Sequence, residues 1–148
     1  MEFSLVPHGG LTLAIGPMLK YFQKSQEWTR GRATVDDIVG FLYAGRMQLW
    51  VAYTQNPEGH GATLYGYIIT EVKDYPKCKA LVCQYCAGES NHMEFVDENA
   101  HATLERYARD TGCAVIEFFG RPGWRKASRE FGYTVDTVVY EKYLGDAT

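Results

Sequence analysis

The stretch from residue 79 to residue 119 most constrains the fold. Two apolar runs, 79–85 (KALVCQY) and 113–119 (CAVIEFF), enclose a segment with helical periodicity. Residues 93–110 place Met93, Val96, Ala100, Leu104, Tyr107 and Ala108 on one face, and Gly112 follows as a terminator. Asn91 and Glu94 match a capping box, with Asn in the first position. A strand–helix–strand unit of this length joins two parallel strands through a right-handed crossover. The second run is apolar except at Glu117, the pattern of a strand covered on both faces. Function is therefore sought where the two strands meet the loop 86–92 (CAGESNH).

The rest of the chain packs onto this unit. Residues 3–6 read as a short strand closed by Pro7 and Gly9-Gly10. Leu11, Ile15, Met18, Leu19 and Phe22 form one helical face, and Gly16-Pro17 sets the expected start near Pro17, since proline suits the first helical position. After the break at 30–32, Thr34 caps a second helix through the amide of Asp37, with Asp36 and Asp37 at its positive end. Val35, Ile38, Val39 and Leu42 are its stripe, and Gly45 ends it. Residues 47–55 alternate, with Leu49, Val51 and Tyr53 on one face and Trp50 and Ala52 on the other. The turn 56–61 (NPEGHG) joins them to a partner strand at 64–72, and 74–77 turn the chain into 79–85. A short helix at 121–131 stops at Gly132, and 133–143 (YTVDTVVYEKY) is expected as the last strand. The reading is one α+β domain over residues 1–148, with a mixed sheet.

A chain of 148 residues buries a core without disulfides or a structural metal. Its 11 Tyr, 7 Phe and 3 Trp are accounted for by core and interface filling. The formal net charge of −3 argues against nucleic acid and anionic membranes as partners. No apolar run approaches the roughly 20 residues of a membrane span. The run 11–15 is too short for a leader core and no basic segment precedes it, so a cytoplasmic location is expected. Cys83-Gln84-Tyr85-Cys86 is a CxxC, but zinc would need two more ligands from Cys78, His92 or Cys113, and no second CxxC or HxxxH exists. In a regular strand positions 83 and 86 face opposite sides. A thioredoxin-type dithiol opens a helix, whereas this motif ends a strand. His8, His60, His92 and His101 share no ligand spacing, and no metal is expected. Walker, dinucleotide and Ser–His–Asp patterns are absent.

The order of elements resembles the GNAT N-acetyltransferase superfamily over nearly the whole chain. The most specific part is the short helix ending in Phe131-Gly132-Tyr133 before a final strand. The resemblance implies a mixed, mostly antiparallel twisted sheet with a central splayed parallel pair and about four helices. It implies acetyl-CoA as cofactor, with the pantetheine arm in the notch between 79–85 and 113–119. Val82, Cys83, Gln84, Tyr85, Cys86, Ala87, Gly88, Ser90 and Asn91 would line it. The pyrophosphate would lie on loop amides and the following helix N-terminus, with Arg121 and Arg125 helping to neutralise it. The family loop reads Gln/Arg-x-x-Gly-x-Gly/Ala; here it is Cys86-Ala87-Gly88-Glu89-Ser90-Asn91, with one glycine and no base. Ser128 stands where many members carry a Tyr that protonates the departing thiolate, and Arg121 where an Asn contacts the cofactor. Glu117, if desolvated in its apolar strand, has the raised pKa of a general base toward an amine. The implied activity is acetyl transfer from acetyl-CoA to a small-molecule or protein amine. The alternative is an inactive binding or structural module of the same fold, similar to tailed-phage members found in virions or acting on host proteins.

Overall fold

The computed structural model describes residues 1–29, 31–89, 96–120 and 122–145. Five strands form one sheet in sequence order: β1 (Glu2–Leu5), β2 (Gln48–Gln55), β3 (Ala62–Asp74), β4 (Lys79–Gly88) and β5 (Cys113–Phe118). All neighbours are antiparallel except β4 and β5, which are parallel. The helices are α1 (Leu11–Trp28), α2 (Val35–Tyr43), α3 (Glu98–Asp110) and α4 (Arg125–Glu130). This is the mixed α+β sheet with a parallel pair that the sequence pattern implied.

Each face of the sheet carries its own core. On one, Leu11, Ile15, Met18 and Phe22 of α1 and Ile38 and Leu42 of α2 cover Leu49, Val51, Tyr67 and Ile69. On the other, Ala100, Leu104 and Ala108 of α3 cover Phe3, Trp50, Ile68 and Leu81. The expected alternation of β2 is what divides Leu49 and Val51 from Trp50 and Ala52. Both cores carry a buried polar tie. Tyr67 donates from its hydroxyl to the carbonyl of Tyr21 at 2.9 Å, fixing β3 to α1. Trp50 Nε1 donates to Thr70 Oγ1 at 2.9 Å, and Thr70 donates in turn to Gln48 Oε1 at 2.9 Å.

Local chemistry explains several ends. Thr34 and Asp37 form the full capping box of α2, at 3.1 and 2.9 Å. That bonding holds the Asp37 carboxyl below its ordinary range. Gly45 follows α2 at φ 74°, a conformation that a side chain disfavours.

Three expectations are corrected. First, α1 begins at Leu11 and runs through Pro17. An interior proline costs about 3 kcal/mol, but Leu11 and Ile15 are buried only if the helix starts early. Leu13, whose carbonyl lacks the amide of Pro17, is 84% exposed and open to water. Second, α3 begins at Glu98, capped by Asp97, which accepts from the Ala100 amide at 2.9 Å. The box expected at Asn91 and Glu94 falls outside the described residues. Third, residues 133–145 form no strand, and none of the five strands of the sheet takes them as a neighbour. Their strand-forming composition lacks a paired neighbour, and pairing rather than propensity makes a strand.

Replacing Thr70 by Val leaves the Trp50 indole N–H buried without an acceptor. Urea denaturation should show a loss of about 1–3 kcal/mol, with m unchanged.

Candidate functional site

The site is built by an irregularity in β4. Its parallel register with β5 runs from Lys79 opposite Cys113 to Cys83 opposite Phe118. The last link is the Phe119 amide to the Cys83 carbonyl at 3.5 Å. On its other side β4 stays with β3 to the end, but Tyr85 opposes Ile69 while Cys83 opposes Thr70. Gln84 is the extra residue of a bulge, and a bulge bends its strand. Residues 84–88 therefore leave β5 while remaining on β3. The Glu89 amide donates to the Tyr65 carbonyl at 2.8 Å. That bond sets the phase: alternation turns the main-chain groups of Cys86 and Gly88 toward the β5 side, where no strand meets them. The result is a short free strand edge beside the end of a parallel neighbour.

The side chains expected at this site disperse. Val82 is fully buried and paired on both sides, so it supplies no free edge. Tyr85 and Ala87 turn into the α1/α2 core. Gln84 donates to Glu71 at 3.3 Å, and Glu71 also accepts from Arg46 at 3.1 Å. The bulge puts Cys83 and Cys86 on the same face, against the α3 core. A regular strand would have separated them. Burial pushes the Cys83 thiol up to about 12 and raises that of Cys86 as well, so both stay protonated near neutrality. Glu117 sits opposite Val82, one residue before the strands part, and accepts from the Tyr75 hydroxyl at 3.2 Å. Ser128 donates to the Arg125 carbonyl at 3.1 Å, and Arg125 is exposed at the start of α4. Ser90, Asn91 and Arg121 lie outside the described residues, as does His92.

Two arrangements near the opening have no signal in local residue spacing. Glu89, the residue after β4, accepts from the Tyr21 hydroxyl and from Lys20 Nζ at 3.0 Å. The Tyr21 bond, then Lys20, hold its carboxyl below the usual carboxylate range. Burial first, then the bond to Glu89, raises the Tyr21 phenol. Glu89 is thus neutralised and drawn toward α1. Its partners lie nearly half the chain away, and no local spacing announces them.

The second group is aromatic. Phe118 stacks with Trp124 at 6.1 Å and meets Tyr133 edge-on at 4.9 Å. His101 of α3 stacks on Phe131 at 3.9 Å. Gly120 is required beneath this group: a Cβ there would lie 2.6 Å from Phe118 Cε2 and 3.0 Å from Trp124 Cε3. Gly132, at φ 86°, ends α4 and swings Tyr133 back onto Phe118. Trp124 therefore flanks the β5 side of the opening, and Tyr85 turns away from it.

Among the described residues no group of three or more His, Cys, Asp or Glu is placed to hold a metal ion. Among the same residues no helix is long and apolar enough to cross a membrane.

No family model matches the sequence, and no curated protein matches it closely. Solved structures do match the fold. A probable acetyltransferase superposes with a TM-score of 0.68 at 13% identity, covering 100% of this chain and 99% of the other. The ribosomal-protein-alanine N-acetyltransferase of Brucella melitensis biovar Abortus 2308 gives 0.65 at 14%, covering 97% and 100%. An aminoglycoside acetyltransferase from an uncultured soil metagenomic sample, solved with sisomicin, gives 0.63 at 10%, covering 99% and 96%.

Half-burial lowers the His101 pKa from its ordinary 6.5, with Glu105 and Asp97 opposing the shift. The fold thus favours neutral His101. Its contribution is complete above pH 6.5 and is lost as pH falls through the lower folded value. The gap in urea midpoint between the His101→Phe variant and the parent should widen in the variant's favour as pH falls from about 7 to about 5.

Proposed function

We propose that this chain, whose fold is that of the GNAT acetyltransferases, transfers an acetyl group from acetyl-CoA to an amine. The observation that carries the reading is the free edge of β4 after the bulge at Gln84. An extended arm with amide groups, such as pantetheine, fits a strand edge whose main-chain donors and acceptors lack a neighbour. Cys86 and Gly88 would hold it by their backbone groups. When bound, acetyl-CoA supplies a thioester activated toward amines.

The chain's own residues then have separable tasks. Main-chain amides at the parting of β4 and β5 would polarise the acyl carbonyl. Glu117, beside that parting and steadied by Tyr75, takes the proton from the attacking amine, directly or through water. Ser128, once its hydroxyl turns from the Arg125 carbonyl, would relay a proton from water to the leaving sulfur, taking back from water the proton it passes on. Lys20 offsets the charge of Glu89 and Tyr21 bonds its carboxylate, which lessens the repulsion a phosphate would meet near the loop. Arg125 offers its charge from α4. The acceptor is an amine on a small molecule or a protein.

Two observations favour a second reading, a binding module without turnover. Asp97 already caps α3, where a pyrophosphate would otherwise rest, and no phenol occupies position 128.

Thermal denaturation with acetyl-CoA separates the two. Binding to the folded chain alone adds about 2.7 kcal/mol at a hundredfold excess over Kd, so the acyltransferase reading requires a rise in Tm. No rise at about millimolar ligand removes that reading and leaves the binding module. Given binding, Glu117→Gln should lower kcat by about 10² to 10⁴, with little change in KM for acetyl-CoA.

A further inference from the structure

Among the described residues, three carboxylates are half-buried: Glu71, Asp97 and Glu117. Glu71 meets Arg46 at 3.1 Å, and Asp97 caps α3. Glu117 meets only a phenol. Tyr75 donates to its Oε2 at 3.2 Å, and among the described residues no base reaches its other oxygen. Partial burial strips water from a charge, so an unpaired one gains most from a partner of opposite sign.

Its surroundings are apolar. Leu81 and Ile116, paired in register, meet the α3 core, so alternation turns Val115 and Glu117 to the opposite face. On that face the α1/α2 core covers β2, β3 and the end of β4 and includes no residue of β5. Val115 is 42% exposed there, and Phe119, the next side chain in the row, 53%. Phe119 still follows the strand, its amide meeting the Cys83 carbonyl at 3.5 Å. From the other side Tyr75, which follows β3, reaches across β4 to Glu117 and stays half-exposed. The carboxylate thus stands between two open apolar side chains, each two strand steps or about 7 Å away. Two aromatic residues beside it favour a cation further.

The number of charges is also set. Glu71 and Glu117 both oppose Val82, one from β3 and one from β5. Arg46 already holds Glu71, so one carboxylate in this row is left for a cation. That suits a single positive charge rather than a string of them.

We infer that this face of β5 seats the acceptor, and that the acceptor is a primary amine with one charge and an apolar body, preferably aromatic, reaching about 7 Å from its nitrogen. Such an amine is an ammonium near neutrality. It places its charge on Glu117 and its body on Phe119 or Val115. Its role as acceptor rests on the acetyl-transfer reading above. The carboxylate that takes the amine proton then also chooses the amine.

Three probes test this on the full chain without acetyl-CoA: phenethylamine, its uncharged counterpart 2-phenylethanol, and the polycation spermidine. Amide shifts of residues 115–119 in NMR titrations report binding. Phenethylamine should bind with a Kd of about 0.1 to 1 mM, and each of the other two at least tenfold more weakly. Glu117→Gln should weaken phenethylamine about tenfold to a hundredfold, and Phe119→Ser about threefold or more. The comparison of probes on the parent chain needs no variant. Equal binding of 2-phenylethanol or of spermidine overturns the inference. So does unchanged affinity in Glu117→Gln, or no shift with phenethylamine at about 10 mM. Acetyl-CoA is then added and free thiol followed. Faster release with phenethylamine than with spermidine supports the inference, and release with spermidine alone overturns it while keeping acetyl transfer. Binding of phenethylamine without thiol release from any probe removes the acetyl-transfer reading and leaves the ammonium seat standing.

Discussion

The bulge at Gln84 is the constraint on which the candidate site depends. A strand inside a sheet must satisfy its main-chain groups on both sides, and β4 does so as far as Cys83. One added residue then bends it away from β5 while the ladder to β3 continues to Gly88. The same residue reverses the side-chain phase. Cys83 and Cys86 come to share the α3 face, and Tyr85 takes the α1/α2 face. A free edge, two protonated thiols and a covered tyrosine all follow from one inserted position.

The sheet can tolerate this parting because it is held firmly elsewhere. Tyr67 bonds the α1 backbone from within one core, and the Trp50–Thr70–Gln48 chain ties β2 to β3 within the other. Buried polar groups with every partner present rigidify what surrounds them. Beyond β4, Lys20 and Tyr21 hold Glu89, so the strand's free end is moored to α1. On the β5 side, Gly120 lets Phe118 and Trp124 close against the backbone. The unpaired end of β4 thus lies between two anchored elements.

Much of the frame was legible in the chain. Thr34 and Asp37 announce their capping box, Gly45 its helix end, and the alternation of 49–53 its two faces. These are short-range effects, in which the residues that decide are neighbours. Pro17 misled because burial of Leu11 and Ile15 outweighs a local preference. The start of α3 shifted because Asp97 is a competent cap nearer the apolar stripe. Residues 133–143 misled for a different reason: strand propensity describes a fit to paired neighbours, and no strand of the sheet pairs with this segment.

The sequence by itself determined the class of fold: the parallel unit from 79 to 119, the two helices before it and the hairpin between. Periodicity and capping act over a few residues and need no knowledge of the whole. Only the tertiary structure decided which backbone groups are left free. The bulge at Gln84 is a mismatch between two strands and has no signature in either alone. Likewise Glu89 meets Lys20 and Tyr21, and His101 meets Phe131, across separations that only packing can close. Hydrogen-bond pairing between distant segments is a property of registers, and a register exists only once the chain has folded.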